Sequence, residues 1–99
     1  MYTAKPTSRF AKDLKRAQKR GYNMSLLTEV IKKLTKGETL EAKYRDHPLK
    51  GDYEGCRECH ITPDWLLIYK PPPANSKPED GISVVYLYLT RTGTHSDLF

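Results

Sequence analysis

No stretch of this chain approaches the ~18–20 consecutive apolar residues that span a bilayer as a helix. Its first residues, Met1-Tyr2-Thr3-Ala4-Lys5-Pro6, lack the apolar run of a secretory signal. The expectation is a soluble, cytoplasmic protein. Cysteine is scarce: Cys56 and Cys59 are too few to staple a secreted scaffold, and a reducing compartment keeps them as thiols. Apolar residues make up only 37% of the 99 positions, where average chains reach ~45–50%. That leaves room for one modest core, so we read residues 1–99 as a single domain. There are no internal repeats.

Acidic residues are also outnumbered. Seventeen Lys and Arg stand against twelve Asp and Glu, a net charge of +5 that suits a partner bearing phosphates or carboxylates. The excess is confined to one end. Lys5, Arg9, Lys12, Lys15, Arg16, Lys19 and Arg20 face Asp13 alone, a net +6 in residues 1–20, whereas the remainder is −1. A solvated helix face accounts for such charge as readily as a polyanion-facing one does.

Periodicity gives the elements. Thr7 or Ser8 can cap a helix carrying Phe10, Leu14 and Ala17 on one side, closed by Gly21, which places helix one over 8–20. Met24, Leu27, Ile31 and Leu34 mark a second stripe from Asn23 to Gly37, and the short connection implies an αα-hairpin. Residues 38–55 read as a long polar loop. Arg57–Thr62 and Trp65–Lys70 flank Pro63-Asp64 as a hairpin. The proline-rich 71–81 stretch reads as an exposed linker, and a β-branched, aromatic strand re-enters at Ile82 and runs to Thr90. A short strand near Tyr2–Lys5 is weakly signalled. The order predicts an α+β fold: a small antiparallel sheet with two N-terminal helices packed on one face.

Cys56-Arg57-Glu58-Cys59-His60 has the C-x-x-C-H spacing of c-type haem attachment. The context argues against it: an export signal is lacking, and strand alternation sends the two thiols to opposite faces. A zinc site of these cysteines with two histidines lacks a second pair at suitable spacing. Structural thiols are the expectation, with no metal or cofactor.

The three histidines, His47, His60 and His95, fall in the long loop, the first long strand and the tail. Strand order can bring these segments to one cleft. One imidazole accepting a proton while another donates one is what transesterification of RNA requires, the 2′-hydroxyl attacking the adjacent phosphorus as the 5′-oxygen leaves. Arg91, Lys50 and Arg57 can offset charge on the phosphorane, and Trp65 or Phe99 can stack on a splayed base. On composition alone, core is the favoured place for Trp65.

Three blocks carry a resemblance: Tyr44-Arg45-Asp46-His47-Pro48-Leu49-Lys50-Gly51, His60-Ile61-Thr62-Pro63-Asp64-Trp65-Leu66-Leu67-Ile68-Tyr69-Lys70, and Arg91-Thr92-Gly93-Thr94-His95-Ser96-Asp97-Leu98-Phe99. Together with Phe10-Ala11-Lys12-Asp13-Leu14-Lys15, they resemble the YafQ toxins of the RelE/ParE superfamily. Membership implies the toxin of a type II toxin–antitoxin pair, a ribosome-dependent endoribonuclease that cuts messenger RNA in the decoding site and is silenced by a DinJ-like antitoxin. It also implies catalytic roles for His47, His60, Asp64 and His95, with Phe99 toward substrate and Trp65 beside it; Lys50 and Arg91 are read toward substrate from their charge and place. Which residue is base and which acid stays open. Glu58 stands where relatives tend to carry aspartate, and the 71–81 loop is longer than the family's tight connection. Two other readings compete: a ParE-like gyrase inhibitor, which has no need of three histidines, and a non-catalytic RNA- or ribosome-binding module, for which the basic helix suffices.

Overall fold

Two side-chain caps start the long helices. The Thr7 hydroxyl accepts the Phe10 N–H at 3.1 Å and opens α1, Ser8–Lys19; the Asn23 side chain accepts the Ser25 N–H at 3.1 Å and opens α2, Met24–Thr35. In the computed structural model, which describes residues 1–76 and 84–99, these helices pack on one face of a five-stranded sheet. The strands are β1 (Thr3–Pro6), β2 (His47–Pro48), β3 (Arg57–Thr62), β4 (Trp65–Lys70) and β5 (Tyr86–Gly93), in the order β1-β5-β4-β3-β2. A four-residue helix, α3 (His95–Leu98), follows β5.

The α+β class and the helical hairpin match expectation, as do β3 and β4, whose bounds are those read from the sequence. Four features differ. The sheet is mixed, because β1 runs parallel to β5. The long loop contributes β2, which extends the sheet beyond β3. The last strand continues past Thr90 to Gly93, and the tail folds as α3. The expected strand start at Ile82 and the end of the 71–81 linker lie outside the described residues.

Side-chain alternation divides the core in two. Phe10, Leu27 and Val30 from the helices meet Cys59, Trp65, Leu67 and Leu87 on one face. On the other, Leu66 and Ile68 are covered by Leu98 of α3, with Leu49, Tyr53 and Cys56 around them. The two cysteines thus belong to opposite faces and form no common ligand pair. Burial, with the nearby Asp46 and Glu58 charges, pushes the Cys59 thiol up to about 12, so it stays protonated at neutral pH.

One side chain joins the helices to the far end of the sheet. β1 pairs with Tyr86–Leu89 only, which leaves the outer edge of β5 unpaired beyond that point. Helix α1 takes over. The Thr7 hydroxyl donates to the Thr90 carbonyl at 2.9 Å, and the Asp13 carboxylate accepts the Thr92 N–H at 3.2 Å. The same carboxylate accepts two bonds from Arg91, from Nε at 2.6 Å and from Nη2 at 3.1 Å. Asp13 is 4% exposed and Arg91 9%, so this is a buried, bidentate ion pair, and the hydrogen bond to Asp13 holds the guanidinium pKa above its ordinary value. Removing one partner of a buried pair strands the other charge. Asp13→Ala should therefore lower stability by about 3–5 kcal/mol, with Asp13→Ala/Arg91→Met recovering part of the loss, both measured by urea unfolding.

Candidate active site

Residues directly opposite one another in an antiparallel pair share a face of the sheet. The register therefore writes two rows across the face that α1 and α2 leave open. One row is His47, Glu58, Ile68 and Arg91; the next is His60, Leu66 and Gly93. Two histidines distant in sequence are brought side by side in this way, their ring centroids 6.4 Å apart. His60 is mostly enclosed, its side chain 16% exposed, whereas His47 on the two-residue edge strand is 46% exposed.

Glu58 lies between them. Its Oε1 is 3.5 Å from His47 Nε2 and 3.6 Å from His60 Nε2, and the residue is 2% exposed. Oε2 is buried and, among the described residues, has no hydrogen-bond partner. The other ring nitrogen of His47, Nδ1, lies 2.7 Å from the Arg45 carbonyl, which a left-handed backbone at Arg45 (φ 50°) turns toward it.

At the Gly93 end of the second row the chain enters α3. Thr94 and Asp97 form a reciprocal capping box, the Thr94 hydroxyl accepting the Asp97 N–H and Asp97 accepting the Thr94 N–H. Arg20, at the end of α1, donates twice to Asp97, at 2.6 and 3.1 Å. That guanidinium, with the Thr94 N–H, holds the Asp97 carboxyl well below the usual carboxylate range. So fastened, α3 sets Leu98 on Leu66 and Ile68 and projects His95 and Phe99, whose rings lie 5.2 Å apart. Phe99 is 60% exposed and meets Tyr53 edge-on at 5.7 Å. Arg9, Lys50, Asp52, Tyr53, Arg91 and Phe99 line an open cavity of about 630 Å³ here, into which the Tyr53 hydroxyl and Arg91 Nη1 reach, 3.4 Å apart. An exposed aromatic ring above basic side chains can take a nucleobase and its phosphate.

A model of the bacterial YafQ toxins of type II toxin–antitoxin systems matches residues 2–99. The chain belongs to the YafQ toxin family. It is 38% identical over 94 residues to the Escherichia coli K12 mRNA interferase toxin YafQ, covering 94% of this chain and 90% of that one. A putative YafQ toxin of Haemophilus influenzae is 34% identical over 67 residues, 65% of this chain and 66% of the relative. The fold superposes on the crystal structure of YafQ from E. coli BL21(DE3) with a TM-score of 0.80 at 36% identity, covering 100% of this chain and 99% of that one. On YafQ in the E. coli DinJ–YafQ toxin–antitoxin complex the TM-score is 0.79 at 36% identity, with 99% and 97% covered.

Set against the expected site of a YafQ toxin, the geometry is selective. It pairs His47 with His60, and on the same face it gathers Lys50, Arg91, His95 and Phe99 at α3. Asp64 does not join them. It sits exposed in the β3–β4 turn beside a separate cavity with Tyr22, Asn23, Leu26, Thr62 and Trp65, and among the described residues it makes no ion pair or hydrogen bond with a histidine. Trp65 is corrected to core: it is 3% exposed, packs on Tyr22 at 4.9 Å, and donates its N–H to Thr92 Oγ1 at 2.8 Å on the helix face. No base can stack there. Arg57 turns away to the Asp46 carboxylate at 3.1 Å. Glu58, singled out in the sequence only as a departure from the family's aspartate, lies between the two imidazoles, on the face where strand alternation from His60 puts it.

The Asp97 carboxyl is held ionised by folding, so its stabilisation is present above the unfolded pKa of about 4 and is lost as pH falls toward the depressed folded value. Wild type should exceed Asp97→Asn in urea midpoint at pH 7, and the gap should shrink steadily below about pH 4.

Proposed function

We propose that this toxin is an endoribonuclease that cleaves messenger RNA on the ribosome, at the decoding site, by 2′-hydroxyl attack. What carries the reading is the convergence on one sheet face of paired imidazoles at one end and an exposed Phe99 with His95 at the other. Family membership and the naming of the E. coli relative as an mRNA interferase support it. A base stacked on Phe99 is turned out of line, which presents its ribose and phosphate to the histidines of that face. One imidazole takes the 2′-hydroxyl proton while the oxygen bonds to phosphorus. The bond to the 5′-oxygen breaks, and a second imidazole supplies that oxygen's proton, leaving a 2′,3′-cyclic phosphate and a 5′-hydroxyl. Lys50 and Arg9 supply positive charge for the phosphorane, and Arg91, half neutralised by Asp13, holds the pocket wall. Asp64 is assigned no step.

The DinJ–YafQ complex of the E. coli relative supports an antitoxin partner of the DinJ type for this chain. The basic helix supports docking on ribosomal RNA. Of its cations, Arg16 and Arg20 are engaged by Asp13 and Asp97, while Lys12, Lys15 and Lys19 are exposed.

Two measurements test the reading. Mapping of new messenger ends after induction should show cuts within translated frames, reduced ~10²-fold or more by His47→Ala, His60→Ala or His95→Ala, with growth arrest relieved in parallel. Arrest that persists undiminished in all three variants would remove the nuclease assignment. Replacing Lys12, Lys15 and Lys19 by Gln should weaken ribosome binding and flatten its dependence on salt by about 2–3 in logarithmic slope, each lysine accounting for somewhat less than one counterion.

A further inference from the structure

Away from the histidines, the open face of the sheet carries a second aromatic cluster. Along β5, Leu87 and Leu89 are buried under the helices, and alternation turns Tyr86 and Tyr88 to the opposite face, where they are 38% and 37% exposed. Their rings lie 5.9 Å apart. The solvated face of a sheet ordinarily carries polar side chains, so two exposed rings there call for a partner. Their neighbours are cations. The register sets Lys5 of β1 and Lys70 of β4 on either side of Tyr88, both exposed, and the Lys5 ammonium lies 5.1 Å over the Tyr86 ring. Among the described residues neither lysine has a carboxylate partner.

One irregularity joins this cluster to the pocket at α3. Strict alternation from Leu87 and Leu89 would send Arg91 under the helices. Between Tyr69 and Ile68 the β4–β5 register slips by one residue, Tyr69 facing Leu89 and Ile68 facing Arg91, so Arg91 returns to the open face. Tyr86, Tyr88 and Arg91 therefore stand in file along one strand, and Arg91 leads into the cavity lined by Arg9, Lys50, Tyr53 and Phe99. Three strand residues at ~3.4 Å each put Tyr88 about 10 Å from Arg91. Rings interleaved with cations hold a single strand, each base stacking on a ring while the backbone meets lysine or arginine. A duplex keeps its bases stacked inside and has nothing to lay on the rings.

We infer that Tyr88, buttressed by Tyr86 and flanked by Lys5 and Lys70, is a second base-stacking site that holds the messenger strand beside the cut. This rests on the nuclease reading above, which puts the cut next to Phe99 and His95. The messenger is the occupant because it enters that pocket as a single strand, and the file of residues continues from the pocket on the same face. The helix α1 lysines proposed to meet ribosomal RNA belong to an element packed on the other face. The roles divide by contact. Lys5 covers the Tyr86 ring, whereas among the described residues no cation lies over Tyr88, so Tyr88 offers the free ring and Tyr86 sets its tilt. The site supplies affinity and register for the message and moves no proton.

Two experiments decide it. In the first, a short 2′-O-methylated oligonucleotide, which lacks the attacking hydroxyl, is titrated into the whole toxin while the tyrosine ring signals are followed by NMR. The Tyr86 and Tyr88 signals should shift; Tyr88→Leu should weaken binding ~10-fold, Tyr88→Phe should keep it within about twofold, and Lys5→Gln/Lys70→Gln should flatten the salt dependence by about 1–1.5 in logarithmic slope. Unmoved ring signals would overturn the inference, as would equal affinity in Tyr88→Leu or equal binding of a double-stranded RNA. Should Tyr88→Leu fold poorly by urea unfolding, the wild-type ring shifts and the lysine variant still decide. The second measures cleavage of ribosome-bound messages, full-length or trimmed on one or the other side of the cut. Tyr88→Leu should raise KM ~10-fold with kcat within about twofold on the full message, and one of the two trimmed messages should abolish the difference. A deficit that persists equally on both trimmed messages would give the surface to ribosomal RNA, and a deficit confined to antitoxin binding would give it to a protein; either overturns the inference. Failure of wild type to cut any message would instead defeat the nuclease reading, with the titration still deciding whether Tyr88 takes a single strand.

Discussion

The carboxylate of Asp13 is the constraint on which the sheet and the site both depend. It occupies the edge of β5 where β1 stops, and accepts one backbone N–H and three guanidinium N–H bonds, two from Arg91 and one from Arg16, in a buried position. Without it, Thr92 would lack its edge partner and Arg91 would be a stranded charge beside the pocket. Thr92 in turn donates to the Leu66 carbonyl and accepts the Trp65 N–H, so one acidic residue of α1 orders four strand positions of β4 and β5. A second link runs in parallel from the end of α1, where Arg20 grips Asp97 and fixes the tilt of α3. Helix α1 is therefore the brace of the histidine-bearing face, even though it packs largely against the other one.

This division of labour changes the meaning of the basic segment. The net charge of residues 1–20 invites a single explanation, but two of its cations are spent on carboxylates inside the fold. The lysines directed outward and the exposed Arg9 remain to meet an external polyanion. Carboxylate pairing and outward positive charge are thus written into the same twelve-residue helix and its cap on different sides.

Much of this was legible in the sequence, and the failures have local causes. The helices and the β3–β4 hairpin carry strong periods, a proline-initiated turn and recognisable caps, and those elements need no distant partner to be identified. β1 is too short to show a period, and its parallel pairing is decided by the return of the αα-hairpin. Arg91 and Thr92 look like the polar start of a tail; they are strand because Asp13, 78 residues away, satisfies them. Four residues of α3 cannot show a helical repeat, although Thr94 and Asp97 have capping-box spacing. His47, His60 and His95 were nameable from residue type and resemblance, whereas Trp65 as core and Glu58 between two imidazoles required the register of the sheet.

The parallel pairing of β1 with β5 has a consequence in time as well as in space. Thr3 to Pro6 must wait for Tyr86 to Leu89 before they have a partner, so the two ends of the chain close the sheet together. Contacts of such sequence separation form late in folding. A nascent chain stopped before β5 can form the helices and the β3–β4 hairpin, but it has neither Arg91 for Asp13 nor α3 to carry His95 and Phe99. The sheet edge at β1, the Asp13–Arg91 pair and the placement of His95 and Phe99 are therefore completed together, by the last strand to be made.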